Sequence, residues 1–228
     1  MSPTTPQEML DLLDRLYQQV LDGIPGVSLP VHRLAEQYMQ RHRPVRTAAK
    51  VFMRYQIAKC TASGFLSGLG GFLTLPVAIP ANIGSVLYVQ LRTIAALACM
   101  GGYDPHDNEV RTLVYACLAN VSVDQLVKHL GIRAGTKLSL AVVKKIPAAA
   151  LTKITQKAGA HFLTKLGAKG ILHAGKIVPV VGGLVSGGFD FADTHRMANR
   201  AYALFIKGDV FVLGAEDYRS ADVEHDLQ

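Results

Sequence analysis

A long run without charge is the sequence feature that most limits how this chain can fold. Residues 60–91 contain no Asp, Glu, Lys or Arg, which makes 32 consecutive uncharged positions. Their pattern predicts an apolar helix over 61–75, a connector with a proline at each end over 76–80, and a second apolar helix over 81–100. Because so much apolar surface is unfavourable in water, we expect a central helical hairpin that other helices cover.

The hairpin could be covered by protein or by lipid. A membrane-spanning helix needs about 20 apolar residues, whereas the first arm, 60–75, has 16 residues and four glycines. The second arm carries Arg92, and an arginine near the centre of a spanning helix costs about 2.5 kcal/mol or more. We therefore favour burial within the protein. The alternatives are an obligate pair of membrane spans, and a hairpin that is buried in solution but can enter a membrane.

Composition and hydrophobic periodicity favour an all-α fold. Aromatic residues make up 7% of the chain and Trp is absent, whereas small apolar residues are abundant, which suits closely packed helices. In residues 6–21, apolar side chains recur every three or four positions, which is typical of an amphipathic helix. A short second helix is predicted from a cap region at Ser28–Pro30 to Arg43. Further helices are predicted over 45–67, 107–130 and 180–207. A longer helical tract is predicted over 136–174, with breaks at Pro147, Gly159, Gly167 and Gly170.

The chain carries no internal repeat and no low-complexity linker. We therefore expect residues 1–228 to form one compact multi-helix bundle. The apolar hairpin, which contains glycines and prolines, lies at the centre of that bundle. The tail, 208–228, is polar and acidic, and we expect it to be partly flexible.

Cysteine spacing and the amino-terminal composition predict a reducing compartment. Cys60, Cys99 and Cys117 lie in apolar helical sequence without CxxC spacing, so inert core thiols are expected. No basic residue precedes Arg15, so the basic region that begins a secretion signal is lacking. We expect a cytoplasmic protein.

The positive charge is concentrated in one part of the chain. The net charge is +7, yet residues 125–189 contain ten Lys or Arg and no acid. Basic residues follow one another there at four-residue intervals, which on a helix forms a single ridge. The row consists of Lys153, Lys157, His161, Lys165 and Lys169, and Lys176 lies beyond it.

Like charges at this spacing are mildly unfavourable on a helix, so the ridge favours an anionic partner. We expect anionic lipid headgroups of the inner membrane, or a membrane protein, as that partner. A merely solvated face is the plain alternative. Nucleic acid is not expected, because Arg and interleaved aromatic residues are scarce in this tract.

Three motifs occur in a fixed order along the chain. They are Gly68-Leu69-Gly70-Gly71 leading to Pro76 and Pro80, then Leu91-Arg92 with its exit through Gly101-Gly102-Tyr103-Asp104-Pro105, and then Lys176-Ile177-Val178-Pro179-Val180-Val181-Gly182-Gly183 leading through Gly187-Gly188 to Asp190. Together, over about 45–206, they resemble the EcsC family of bacterial proteins. The resemblance implies a protein related to a companion of an ABC-type exporter, without a generally assigned enzymatic activity. Asp190 departs from the small polar residue that the family pattern has there.

Asp190, Asp193 and His195 are the residues closest to a catalytic or metal-binding constellation. Two carboxylates and an imidazole could hold a metal ion or transfer protons, which would make the chain a hydrolase or a metal-dependent enzyme. On a helix, however, Asp193 and His195 point about 200° apart, and no HExxH spacing is present. Ser186 is not in a GxSxG turn, and the glycine-rich stretches lack the lysine of a phosphate-binding loop. We expect a non-enzymatic protein without catalytic residues, bound metal or cofactor.

Arg92 is the one charge within the predicted second apolar helix. A buried guanidinium cannot be neutralised and requires a carboxylate or several carbonyl acceptors. Asp190 follows Gly187-Gly188 at the entry to the apolar part of the last predicted helix, and Asp193 lies three positions after Asp190. We predict a buried pair between Arg92 and Asp190, with Asp193 as the second choice.

Overall fold

The computed structural model describes residues 5–61, 81–119, 139–173 and 194–208, except for the side chains of 59–61, 81–86 and 165–173. Its helices are α1 (Pro6–Asp22), α2 (Val31–Arg41), α3 (Val45–Thr61), α4 (Ala81–Met100), α5 (Asn108–Leu118), α6 (Leu140–Val143), α7 (Ala148–His173) and α8 (194–202), and α8 continues into a π-helical turn, Ala203–Lys207. These ranges contain no β-strand, and the contact between Ile24 and Ser28 is an isolated bridge. The predicted all-α class is confirmed.

Helix α1 begins and ends where its sequence signals predict. Thr5 and Glu8 form a capping box, in which Glu8 N–H donates to Thr5 Oγ1 at 3.2 Å and Thr5 N–H donates to Glu8 Oε2 at 3.4 Å. The helix ends at Gly23, whose φ of 76° suits a residue without a side chain. The face that repeats every three or four residues is buried, as predicted from residues 6–21.

Helix α4 lies at the centre of the bundle. It packs against α1, α2, α3, α5 and the π-helical turn. Every side chain from 87 to 98 is buried, which is the behaviour of a helix that is apolar on all sides. The predicted second arm of the hairpin is therefore confirmed at the predicted bounds, and the rest of the hairpin, 62–80, lies outside the described residues.

The predicted helical tract 136–174 is divided at one of its four predicted breaks. Pro147 separates the short helix α6 from α7, as expected for a residue that cannot continue a helix. The breaks predicted at Gly159, Gly167 and Gly170 are wrong, because α7 runs through all three. A glycine costs a helix about 1 kcal/mol relative to alanine, which is too little to end one that packs well.

Gly159 serves close packing rather than helix termination. A side-chain carbon at this position would lie 2.8 Å from both the Pro6 carbonyl oxygen and Leu10 Cγ of α1. The missing side chain therefore lets α7 approach α1 more closely than any other residue would allow.

Two other boundaries differ from the predictions. Ser28 does not cap α2, which begins at Val31 after Pro30 without a side-chain cap. Ser28 Oγ instead contacts the Ile24 backbone N–H and the Tyr88 hydroxyl. Helix α5 ends at Leu118 with Ala119 as its cap, short of the predicted end near 130. The predicted continuation of α3 to 67, the part of the last helix before 194 and the tail beyond 208 lie outside the described residues.

Helices α1 and α5 are joined by two tyrosines. Tyr115 donates a hydrogen bond of 2.6 Å to Asp14 Oδ1, and Tyr17 donates one of 2.8 Å to the Pro105 carbonyl. The two rings meet edge to face with their centroids 5.6 Å apart. Burial raises the pKa of Tyr115 well above its ordinary value, and the neighbouring Asp14 carboxylate raises it further. The hydroxyl therefore stays protonated and remains a donor.

Tyr115→Phe tests how much this contact stabilises the fold. The variant keeps the ring but leaves Asp14 without its phenol donor, and we expect a loss of about 1–2 kcal/mol in the free energy of unfolding, since Asp14 is partly exposed. Urea unfolding followed by circular dichroism measures it. Tyr38→Phe, which also removes only a hydroxyl, is the control and should change stability by less than about 0.5 kcal/mol. Equal stabilities of the two variants would contradict the proposed role of the Asp14 contact.

Candidate functional site

Helix α7 separates its apolar residues from its basic ones. Four small or apolar side chains at four-residue intervals are buried, namely Ala150, Ile154, Ala158 and Phe162. They face α1 and α5, against which α7 packs. Lys153, Lys157 and His161 form an exposed row beside them. The predicted ridge is therefore at the protein surface over the part of α7 whose side chains are described.

The remaining members of the predicted anionic-surface site are only partly described. Lys165 and Lys169 lie on the continuous helix α7, at the same four-residue spacing as the exposed lysines. Their side chains are outside the described residues, and so is the whole of Lys176. Their part in the surface stays a prediction.

A basic and apolar surface that was not predicted from the sequence lies immediately before α7. Lys144 and Lys145 are exposed in the turn that follows α6, and Leu140 of α6 is 47% exposed. Leu140 is one of four large apolar side chains that the described ranges leave exposed. The signal was available in the sequence, because Pro147 and the Leu140–Lys144 spacing of four together predict a separate amphipathic turn.

Arg92 is buried in a polar cluster, as expected for the one charge of an apolar helix. It is 7% exposed, and its Nη1 donates to the Tyr88 hydroxyl over 3.4 Å. The Tyr88 hydroxyl in turn lies 2.7 Å from Ser28 Oγ, in the loop between α1 and α2. Burial lowers the pKa of Arg92 from its ordinary value, and the Tyr88 phenol counteracts part of that effect. The spacing of four between Tyr88 and Arg92 could have predicted this neighbour.

The predicted carboxylate partners of Arg92, Asp190 and Asp193, lie outside the described residues, so the pair stays a prediction. The described part of α8 nevertheless lies next to α4, because Gln90 Nε2 donates a 2.9 Å hydrogen bond to Thr194 Oγ1. Gln90 and Arg92 are two positions apart and therefore point about 200° from each other around α4. Thr194 thus packs on the side of α4 that is turned away from Tyr88.

Of the three residues in the predicted acid–base or metal constellation, His195 is the one that lies within the described residues. Its ring is half-buried, and its Nδ1 lies 3.3 Å from Asn199 Nδ2 one turn along α8. In residues 5–61, 81–119, 139–173 and 194–208, no three His, Cys, Asp or Glu side chains are grouped so that they could hold a metal ion. Asp190 and Asp193 lie outside the described residues, so the constellation stays a prediction.

Two of the three cysteines are inert, as predicted. Cys117 is buried and Cys99 is half-buried, and neither forms a disulfide. Burial raises the pKa of each thiol to about 12, so neither is a thiolate at neutral pH. The side chain of Cys60 is outside the described residues.

Comparison with known proteins gives one partial relationship. The chain is 35% identical over 69 residues to the uncharacterized protein YdbA of Bacillus subtilis (strain 168). The aligned segment is 30% of this chain and 24% of YdbA, so the chain spans about a quarter of its relative. No protein-family model matches the chain. No solved structure matches it either.

None of the described helices combines the length and the apolar composition that are needed to cross a membrane.

Arg92→Met tests the predicted buried pair. If Asp190 is the partner, its carboxylate is left buried and uncompensated, and we expect a loss of about 3–5 kcal/mol in the free energy of unfolding. Adding Asp190→Leu should recover much of that loss, whereas Asp193→Leu should not. Chemical unfolding of the two double variants and the single one gives the comparison. A single variant as stable as the parent would contradict the pair.

Proposed function

We propose that the chain is a non-enzymatic, EcsC-like protein that docks on the anionic inner surface of the membrane, or on a membrane protein there. The contact is made by the α7 surface, which we define as Leu140, Lys144, Lys145 and the basic row of α7 that begins at Lys153. The proposal depends on one observation, which is that the apolar and the basic side chains of α7 form two separate rows. The apolar row packs on α1 and α5, whereas the basic row is exposed at the surface, where an anionic partner can reach it.

Charge is the first reason to favour an anionic lipid surface. Each basic residue close to such a surface contributes about 1 kcal/mol of attraction, which acts within a Debye length. The whole tract 125–189 adds no acidic residue that would oppose this attraction. Lysines suit this role, because they act as point charges on flexible stems and do not require a particular headgroup geometry.

The exposed leucine is the second reason. Leu140 lies one helical turn before Lys144, so an apolar side chain and a cation occur on the same side of α6. In peripheral proteins, an apolar side chain of this kind enters the boundary between headgroups and acyl chains while neighbouring cations bind phosphates. Nucleic acid would instead favour arginine and stacking aromatic residues, which the α7 surface does not present among its described members.

The EcsC-like part of the proposal is supported by the order of motifs over 45–206 and by the helical fold. Helix α4 and the exit loop 101–105, which carry the second of those motifs, are in place as a buried central helix and a tight turn. A protein of this kind next to an ABC-type exporter would meet the same inner membrane surface that the basic row suits.

Vesicle binding tests the charge contribution. The variant with Lys153, Lys157, Lys165 and Lys169 replaced by Gln should bind vesicles of anionic lipid up to roughly three orders of magnitude more weakly, from about 1 kcal/mol per lysine. Binding of the parent should also weaken as salt is raised. Co-sedimentation with vesicles that contain or lack phosphatidylglycerol measures both effects. Lys157 and His161 also interact within the chain, so melting temperatures are compared in parallel.

The matched control removes the same charge elsewhere. Arg41, Arg43, Arg46 and Arg54 are exposed on or next to α2 and α3. Replacing these four by Gln should leave vesicle binding at least tenfold stronger than in the α7 variant. If the two quadruple variants bind equally well, the attraction depends on net charge alone and the α7 surface is a solvated face.

Leu140→Ser tests the apolar contribution separately. Fully burying a leucine contributes about 1.5–3 kcal/mol, and because Leu140 is half-exposed already we expect binding to weaken about tenfold. The effect should persist at high salt, unlike that of the lysines. Leu29→Ser is the control, since Leu29 is 43% exposed in the loop between α1 and α2. Equal effects of the two serine variants would exclude Leu140 as an anchor.

A further inference from the structure

A second basic surface lies at the end of α2 and along α3. Arg46, Lys50 and Arg54 recur every four residues on α3 and are all exposed, so they form one row. Arg41 ends α2, Arg43 lies in the turn between α2 and α3, and both are exposed. We name these five side chains the α3 surface. Helix α3 packs mainly on α2 and α4, whereas α7 packs mainly on α1 and α5, so this surface belongs to different helices from the α7 surface.

The charge of the α3 surface is not balanced by nearby acids. Residues 31–61 contain one acid, Glu36, and it pairs with Arg33 at 3.5 Å. Among the residues that the structure describes, none forms a salt bridge with the four arginines of the α3 surface. Like charges at a spacing of four destabilise a helix, so this row favours an acidic partner.

Apolar side chains are exposed next to the basic row. Val45 and Tyr55 are 40% and 51% exposed, and they are two of the four large apolar side chains that the described ranges leave exposed. Val45 adjoins Arg46 in sequence and Tyr55 adjoins Arg54, so each end of the row has an apolar neighbour. The partner that complements this surface is acidic and also carries apolar side chains.

The chain itself contains a segment of this composition. Residues 209–228, which we name the acidic segment, hold six Asp or Glu and one Arg, and no stretch of twenty residues elsewhere in the chain has as large a net negative charge. Five of the six acids lie within 216–226, and they follow the apolar run Val210-Phe211-Val212-Leu213. The segment therefore brings first apolar side chains and then carboxylates.

The acidic segment begins beside the start of α3. The π-helical turn packs mainly on α4 and α3. One surface pocket is lined by Val45, Arg46, Met100, Phe205 and Ile206, so the last residues before Gly208 lie close to the start of the basic row. Eight residues of extended chain reach about 26 Å, whereas the row from Arg46 to Arg54 rises about 12 Å along α3. The acids from Glu216 onward can therefore contact any part of the row.

We propose that the acidic segment binds along the α3 surface of its own chain, with the apolar run 210–213 near Val45 and the acids of 216–226 on the basic row. A single exposed ion pair contributes little. A segment attached next to the surface, however, has an effective concentration in the millimolar range, so several weak pairs suffice. Arginine suits this contact because its donors match a carboxylate bidentately. Of the two basic surfaces, the α7 surface then stays open to a membrane.

Carbodiimide coupling in the full chain tests the contact, because it joins a carboxylate to an amine without a spacer. Arg46→Lys and Arg54→Lys keep the charge of the row and supply amines on both sides of Lys50. Mass spectrometry should find carboxylates of the acidic segment coupled to positions 46, 50 and 54. Coupling of the same carboxylates to the exposed lysines of the α7 surface, Lys144, Lys145 and Lys153, is the internal control and should be the minor product. Equal yields on the two surfaces, or a preference for the α7 surface, overturn the proposal.

Isotope mixing shows whether the segment binds its own chain. Equal amounts of unlabelled and ¹⁵N-labelled protein are mixed before coupling. Coupled peptides should then be wholly light or wholly heavy. Mixed pairs would make a second copy of the chain the occupant of the α3 surface and overturn the contact within one chain.

Arginine modification measures how well the segment covers the row in the unaltered helix α3. In the full chain, Glu216→Gln with Asp217→Asn should raise the rate at which phenylglyoxal modifies Arg46 and Arg54 about two- to fivefold, as expected for the loss of exposed ion pairs. Arg15, which is exposed on α1, is the internal reference and should react at an unchanged rate.

The matched control removes two acidic charges elsewhere. Asp11→Asn with Asp22→Asn, both exposed on α1, should leave the modification of the α3 surface as in the parent. If the two double variants react equally, the acidic segment does not cover the row and the proposal is wrong. Neither the coupling nor the modification uses a membrane, so the result is independent of the docking proposed for the α7 surface.

Discussion

The burial of α4 on all sides is the constraint on which the rest of this structure depends. An ordinary surface helix needs cover on one face, whereas a helix without a polar face needs neighbours all around it. Helices α1, α2, α3 and α5 and the π-helical turn supply that cover. Each of these elements therefore packs its apolar face against α4 or against the helices next to α4. Surfaces that could bind a partner lie on the outward sides of the peripheral helices.

The few polar groups within α4 then determine how the neighbours are oriented. Buried donors and acceptors have to find partners, because an unpaired one costs about 1–3 kcal/mol. Thr93 satisfies its hydroxyl within the helix, on the Val89 carbonyl. Gln90 and Arg92 instead form bonds on opposite sides, the first to Thr194 of α8 and the second to Tyr88 beside the loop of Ser28. These bonds fix the rotation of α4 between two parts of the chain that are far apart in sequence.

The same constraint explains why the basic residues are arranged on separate surfaces. The lysines of α7 cannot share the face that packs on α1, so they form a row at the outer edge of that contact. The arginines around the start of α3 lie instead beside the exposed Val45, on a part of the bundle formed by other helices. A row of lysines suits an extended anionic surface, because lysine side chains act as point charges that need no particular headgroup geometry.

The sequence by itself determined the fold class, the bounds of α1 and of α4, and the exposure of the described part of the basic row. These features depend on periodicity and on capping residues that lie within a few positions of each other. It also determined that Arg92 is buried, since a charge within an apolar helix has no other place. Only the tertiary structure decided what Gly159 does, because a glycine that breaks a helix and one that admits a neighbouring helix have the same local sequence. It also decided that Tyr88 and Ser28 lie beside Arg92, and that Val45, Met100 and Phe205 meet around one pocket. Such juxtapositions join residues from distant parts of the chain, and no local pattern encodes the distance between them.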